Sequence, residues 1–131
     1  MLRLPKFRLH QPATLAEAAA ILAAEGDSAR VVAGGTDLWP NLKRRHQKAA
    51  DVVSLSRLPE LREIRANGDL HLGAMATLTD VERHAAVRER FPALASAVAW
   101  ISSPVLRNMG TIGGNVCLDT RCTYYNQNEE W

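Results

Sequence analysis

Residues 30–55, RVVAGGTDLWPNLKRRHQKAADVVSL, decide the fold. The β-branched run Arg30–Ala33 predicts a strand. Gly34-Gly35-Thr36-Asp37 ends it in a tight loop, because glycine tolerates backbone angles that a side chain forbids. Leu38–Arg45 predicts a weak helix with Asp37 as its cap, and Asp51–Leu55 predicts a second strand. Strand, loop, helix and strand make a small βαβ unit.

Upstream of this unit, Phe7–Leu9 reads as extended and Pro12 stops it. Thr14 and Glu17 form a T-x-x-E capping box, which starts a helix over Leu15–Ala24. Leu15, Ala18, Ala19 and Leu22 give it one apolar stripe, and Gly26 closes it. Downstream, Leu61–Ala66 and Leu70–Ala74 flank Asn67-Gly68-Asp69, which predicts a hairpin. A second capping box, Thr79 with Glu82, predicts a helical region that breaks at Pro92 and runs to Ile101. Leu94, Ala97, Val98 and Ile101 recur at helical spacing, so this half is expected to pack on the sheet. The expected class is α+β: a small mixed sheet with a βαβ unit, a hairpin and packed helices.

Composition excludes several functions. The chain has 131 residues, 47% hydrophobic and 23% charged, enough for one core without a disulfide or metal. Lys+Arg 16 against Asp+Glu 14 leaves a net charge of +2, too little for sequence-independent binding of nucleic acid. No apolar run approaches the roughly 20 residues that span a bilayer, and MLRLPKFRLHQP lacks a signal peptide's apolar stretch, so a cytoplasmic protein off the membrane is expected. Cys117 and Cys122 are too close for a secreted disulfide framework and point to chemistry instead. His10, His71 and His84 show no metal-ligand spacing. The basic run Lys43, Arg44, Arg45, His46 and Lys48 reads as a solvated face. No Ser-His-Asp pattern suggests hydrolysis.

Two loops carry the remaining signal. In VVAGGTDL (residues 31–38) small residues let backbone N–H groups converge on one concavity, and Thr36 adds a hydroxyl, which suits a pyrophosphate. A plain strand-to-helix turn capped by Asp37 explains the same residues. GTIGGN (residues 110–115) repeats the device with Thr111 and Asn115. A diphosphate gripped from both sides would be compensated by backbone dipoles, since neither loop supplies Lys or Arg. Gly34 and Gly113 are therefore expected to matter more to the ligand than to folding.

The pair VVAGGTDL and RNMGTIGGN, with GAMATLTDVE between them, resembles the FAD-binding subunit or domain of the molybdenum hydroxylases, the xanthine dehydrogenase and carbon monoxide dehydrogenase family. The resemblance covers nearly the whole chain and implies a PCMH-type FAD-binding fold, of which residues 1–131 are the N-terminal lobe. It implies that Ala33, Gly34, Gly35, Thr36 and Asp37 hold the FAD pyrophosphate from one side, and Thr111, Ile112, Gly113, Gly114 and Asn115 from the other. Val31, Val32 and Leu38 would flank the first loop, and Ile101 would pack near the flavin nucleotide. The implied partners are a small [2Fe–2S] subunit and a large molybdopterin subunit in a hetero-oligomer.

The tail CLDTRCTYYNQNEEW narrows the resemblance to the flavin subunit of 4-hydroxybenzoyl-CoA reductase, whose inserted loop carries an extra [4Fe–4S] cluster. Residues 116–131 would begin that loop. Cys122 matches its first cluster ligand, whereas Cys117 matches a cysteine that is not a ligand. The chain stops at Trp131, before the other three cysteines, so a four-thiolate site is incomplete within it. An ordinary xanthine or carbon monoxide dehydrogenase-type medium subunit, or a non-catalytic interaction fragment, are the alternatives.

Overall fold

The structure, a computed structural model, describes residues 2–119. Strands β1 (Arg8–His10), β2 (Ala29–Val32) and β3 (Asp51–Ser54) form an all-parallel sheet in the order β1-β3-β2. Helix α1 (Leu15–Glu25) links β1 to β2, and α2 (Leu38–Lys43) links β2 to β3. Strands β4 (Ile64–Asn67) and β5 (Asp69–Leu72) form a separate antiparallel hairpin around Gly68. Helices α3 (Leu78–Arg83), α4 (Ala85–Arg90), α5 (Pro92–Ala99), α6 (Pro104–Arg107) and α7 (Ile112–Val116) follow. The expected α+β class and βαβ unit are present, but the parallel and antiparallel pairings of the expected mixed sheet fall in two sheets.

Each sheet has its own core. β3 is buried along its whole length, as a central parallel strand covered on both faces must be. Val52 packs on one face with Val32, Leu38 and Leu42, where Phe7 and Trp39 stack at 5.6 Å. Val53 packs on the other face with Ala18 and Leu58, beside Ile21 and Leu22. Thr14 caps α1 as expected, its side chain accepting the Glu17 N–H. The buried stripe is rotated, however: Leu15 and Ala19 are exposed, and Ala18, Ile21 and Leu22 face the sheet. The helices α3, α4 and α5 close over the hairpin, not over the parallel sheet. Val81, Val87 and Val98 form that cluster with Ile64, Leu70 and Leu72 against it.

The second capping box is displaced by two residues. Thr77, not Thr79, caps α3: its hydroxyl accepts the Asp80 N–H at 3.0 Å, and Asp80 accepts the Thr77 N–H at 3.1 Å. Thr79 instead donates to Asn108 Oδ1 at 2.7 Å, and the helical region breaks at His84 as well as before Pro92.

A buried carboxylate pins the sheet edge. Asp51 at the start of β3 is fully buried, and Arg8, its register partner on β1, reaches it with Nε at 2.8 Å and Nη2 at 3.0 Å. His10 Nε2 lies 2.7 Å from the same carboxylate. Hydrogen bonds from Arg8 and then His10 hold the Asp51 pKa below the usual aspartate range, outweighing the burial that pushes it up. A depressed folded-state pKa contributes stability that is present above the unfolded value of about 4 and is lost as pH falls toward the folded value. The melting temperature should therefore drop as pH is lowered through this acid range, and Asp51→Asn should lower it at pH 7 while flattening the acid limb. An acid limb as steep in Asp51→Asn as in the wild type, read by circular dichroism, would refute this assignment.

Candidate functional site

The two glycine loops meet. A side-chain carbon placed on Gly34 would lie 1.7 Å from the Met109 carbonyl oxygen and 3.2 Å from the Gly110 Cα. The first loop leaves β2 and turns at Gly35, whose φ of 75° lies in the left-handed region. A Cβ at Gly35 would also come within 2.3 Å of the Trp39 indole nitrogen. The second loop is sewn to the segment after β5. Leu78 N–H donates to Gly110 O at 2.9 Å, Ile112 N–H to Ala76 O at 2.9 Å, and Gly113 N–H to Ala74 O at 3.0 Å. Gly113 is obligatory here, because a Cβ would meet the Ala74 Cβ and carbonyl oxygen at 2.7 Å.

Between the loops lies a cleft of about 580 Å³. Of the sequence-predicted residues, Val31, Ala33, Gly34, Gly35, Thr36, Asp37, Leu38, Ile101, Thr111, Gly113, Gly114 and Asn115 line it. Val32 and Ile112 do not. Strand alternation turns Val32 into the core of the parallel sheet, 3% exposed, while Val31 faces out. The Ile112 side chain packs against Ala76, Leu78, Val81 and their neighbours. Sequence reasoning missed Arg30, Ala74, Leu78, Ser102 and Leu106, all of which line the cleft. Arg30 stood just ahead of the glycine motif, and Ala74 and Leu78 lie within GAMATLTDVE, whose small residues signal close backbone approach.

The two loops differ in what they offer. In the second loop the N–H groups of Ile112 and Gly113 are taken by backbone carbonyls, and those of Gly114 and Asn115 by the Thr111 hydroxyl at 3.1 Å and carbonyl at 2.9 Å. This corrects the expectation of two equivalent backbone nests: the segment after β5 and the Thr111 cap of α7 take four donors on that side and leave only the Thr111 N–H without an acceptor among the described residues. In the first loop, no acceptor among the described residues takes the N–H of Gly34, Gly35, Thr36 or Leu38. Asp37 precedes α2, and among the described residues its carboxylate caps none of that helix's N–H groups; it accepts Asn41 Nδ2 at 3.0 Å. A cationic side chain does border the cleft: Arg30, whose Nη1 donates to the carbonyls of Asp27 and Ala29, both at 2.8 Å.

Cys117 is exposed and lines the cleft, whereas Cys122, Tyr124 and Tyr125 lie outside the described residues. Among the described residues no three His, Cys, Asp or Glu side chains gather to hold a metal ion. No helix of the described residues is long and apolar enough to cross a membrane.

Fold and cleft together define an α+β domain with an open cleft between two glycine loops. Residues 5–125 match the family described as the FAD binding domain in molybdopterin dehydrogenase, and the chain belongs to that family. It is 39% identical over 113 residues to the carbon monoxide dehydrogenase medium chain of Hydrogenophaga pseudoflava, covering 86% of this chain and 39% of that one. It is 36% identical over 110 residues to the xanthine dehydrogenase FAD-binding subunit of Escherichia coli O157:H7, covering 82% and 37%. Among solved structures, carbon monoxide dehydrogenase from Hydrogenophaga pseudoflava superposes with a TM-score of 0.84 at 38% identity, over 87% of this chain and 40% of that one. Quinoline 2-oxidoreductase from Pseudomonas putida 86 superposes at 0.79 with 34% identity, over 86% and 39%. The chain thus spans well under half the length of these relatives.

The Gly34 contact also corrects the expectation that this glycine serves the ligand before the fold. Gly34→Ala should cost about 1–3 kcal/mol of stability by overpacking. Gly114→Ala, whose Cβ would meet only the Thr111 hydroxyl at 3.1 Å, should cost less than about 1 kcal/mol. Urea denaturation of the two variants checks the ranking, and equal losses would contradict the loop contact.

Proposed function

We propose that this chain is the N-terminal lobe of an FAD-binding, electron-transferring medium subunit of a molybdenum, iron–sulfur and flavin oxidoreductase. Membership of the FAD-binding family and the carbon monoxide and xanthine dehydrogenase relatives support it. The observation that carries it is the set of unclaimed N–H groups at Gly34, Gly35, Thr36 and Leu38 on the wall of the cleft. The residues fit a diphosphate. Main-chain donors already fixed by the β2-α2 connection bind an anion without ordering a long side chain.

In this proposal the first loop and the Thr36 hydroxyl hold the diphosphate, and Arg30 contributes positive charge at the cleft's edge. The Thr111 hydroxyl, on the wall formed by the second loop, can donate while its oxygen accepts from Gly114. Thr111, Ile112, Gly113, Gly114 and Asn115 build that wall, and Ile112 acts from beneath it through packing. Leu38, Ile101 and Leu106 supply apolar surface that excludes water from the nucleotide. Bound FAD would supply the redox chemistry, and this lobe contributes position. A small [2Fe–2S] subunit and a large molybdopterin subunit would complete a hetero-oligomer in the cytoplasm.

A second reading rests on Cys122 in DTRCTYYNQ, which resembles the cluster loop of the 4-hydroxybenzoyl-CoA reductase flavin subunit. There, reductive dehydroxylation belongs to the large subunit, and this lobe does not touch that substrate. Iron and acid-labile sulfide accompanying flavin in the purified complete subunit would favour this reading, and flavin alone would favour the carbon monoxide or xanthine dehydrogenase type.

Anchoring through the diphosphate makes a simple competition decisive. The 131-residue chain should quench FAD fluorescence on titration, and ADP should displace the flavin whereas riboflavin, with no phosphate, should not. Riboflavin competing as well as ADP, or the absence of any FAD binding, would overturn the proposal.

A further inference from the structure

Arg107 is 9% exposed and is not among the residues that line the cleft. Its Nε donates to Glu82 Oε2 at 3.0 Å, and its Nη1 donates to the carbonyl oxygens of Ile101 at 3.1 Å and Ser102 at 3.5 Å. Those carbonyls lie in the turn just past α5, beyond its C-cap Trp100. One planar guanidinium thus ties α3, through Glu82, to the turn between α5 and α6. That turn contains Ser102 at a φ of 52°, a left-handed conformation that a serine adopts only when its surroundings enforce it. The two residues whose carbonyls Arg107 holds, Ile101 and Ser102, both line the cleft.

We propose that Arg107, with Glu82 as its counter-ion, is a positioning residue that locks the Ile101–Ser102 turn onto the cleft wall and so shapes the surface met by the bound nucleotide. This rests on the reading of the cleft as the FAD site. The strain at Ser102 marks the turn as imposed. Without the clamp, the turn has an incentive to relax, and Ile101 moves with it. Lysine cannot substitute, because a single ammonium on a flexible stem does not span a carboxylate and two carbonyls in fixed geometry. Glycine at 102 removes the strain and with it the need for the clamp.

The test compares wild type, Arg107→Lys, Ser102→Gly and the double variant in the 131-residue chain. It reads FAD affinity by fluorescence, visible circular dichroism of the bound flavin, thermal stability, and hydrogen exchange of the Ile101 amide, which donates to Val98 O at 3.1 Å. Arg107→Lys should weaken FAD binding about tenfold, alter the flavin dichroism and speed Ile101 exchange at temperatures where the chain is folded. Adding Ser102→Gly should restore much of the affinity. A loss of thermal stability with affinity and dichroism unchanged would mean a merely structural role and overturn the inference. If wild type takes up no FAD, the proposed function falls, and Ile101 exchange alone decides the clamp: equal exchange in wild type and Arg107→Lys overturns it.

Discussion

The close approach of Gly34 to the Met109 carbonyl is the contact on which the rest depends. Two backbone segments far apart in sequence can touch at this distance only if one of them lacks a side chain. The parallel sheet delivers the first segment and the hairpin with its helices delivers the second. The parallel sheet has an apolar cluster on each face and the hairpin half has its own, and the cleft is lined by residues from both halves. Pockets between packed units are a common place for cofactors. Here the two halves meet by backbone contact, which leaves side chains free to line the opening.

Hydrogen bonding divides the labour between the two sides. Ile112 and Gly113 N–H donate to Ala76 and Ala74, and Gly110 O accepts from Leu78; these bonds fix the second loop as a wall and take most of its main-chain donors, Thr111 N–H excepted. The first loop is fixed by what flanks it, β2 in the sheet and α2 packed on it, so its amides need no partner of their own to stay in place. Donors that are both rigid and unclaimed suit an anion, since little ordering entropy remains to be lost on binding. The same economy holds among residues that do not line the cleft. Arg107 orders a turn of the wall from outside, and Asp51 orders the sheet edge through Arg8 and His10.

Local signals in the sequence were legible where the physics is local. The Thr14 cap, the βαβ unit around GGTD and the Asn67-Gly68-Asp69 turn all rest on neighbours in the chain, and all are present. The misassigned features depend on distant partners. T-x-x-acid occurs twice in overlap, at Thr77 with Asp80 and at Thr79 with Glu82. The first is used because the turn at Ala74–Met75 and the bridge from Thr77 to Thr111 fix the segment up to Thr77 against the second loop, and Thr79 is held by Asn108. Likewise α1 turns Ala18, Ile21 and Leu22 inward because Val53 and Leu58 wait there, a fact no helical period contains. Most of the cleft was legible from its two glycine motifs, but Val32 and Ile112 show that a motif's span does not say which side chains face the opening. Arg107 and Glu82 stand in the quoted motifs RNMGTIGGN and GAMATLTDVE, but their pairing was not legible, since it exists only once α3, α5 and α6 are brought together.

The account centres on an unequal pair of loops, one offering amide protons and the other serving as a wall. Amide chemical shifts of the isotope-labelled 131-residue chain during titration with ADP address this most directly. The Gly34, Gly35, Thr36 and Leu38 amides are predicted to move strongly, while those of Ile112 and Gly113, already bonded to Ala76 and Ala74, stay nearly still. Large shifts at Ile112 and Gly113 with a silent first loop would contradict it.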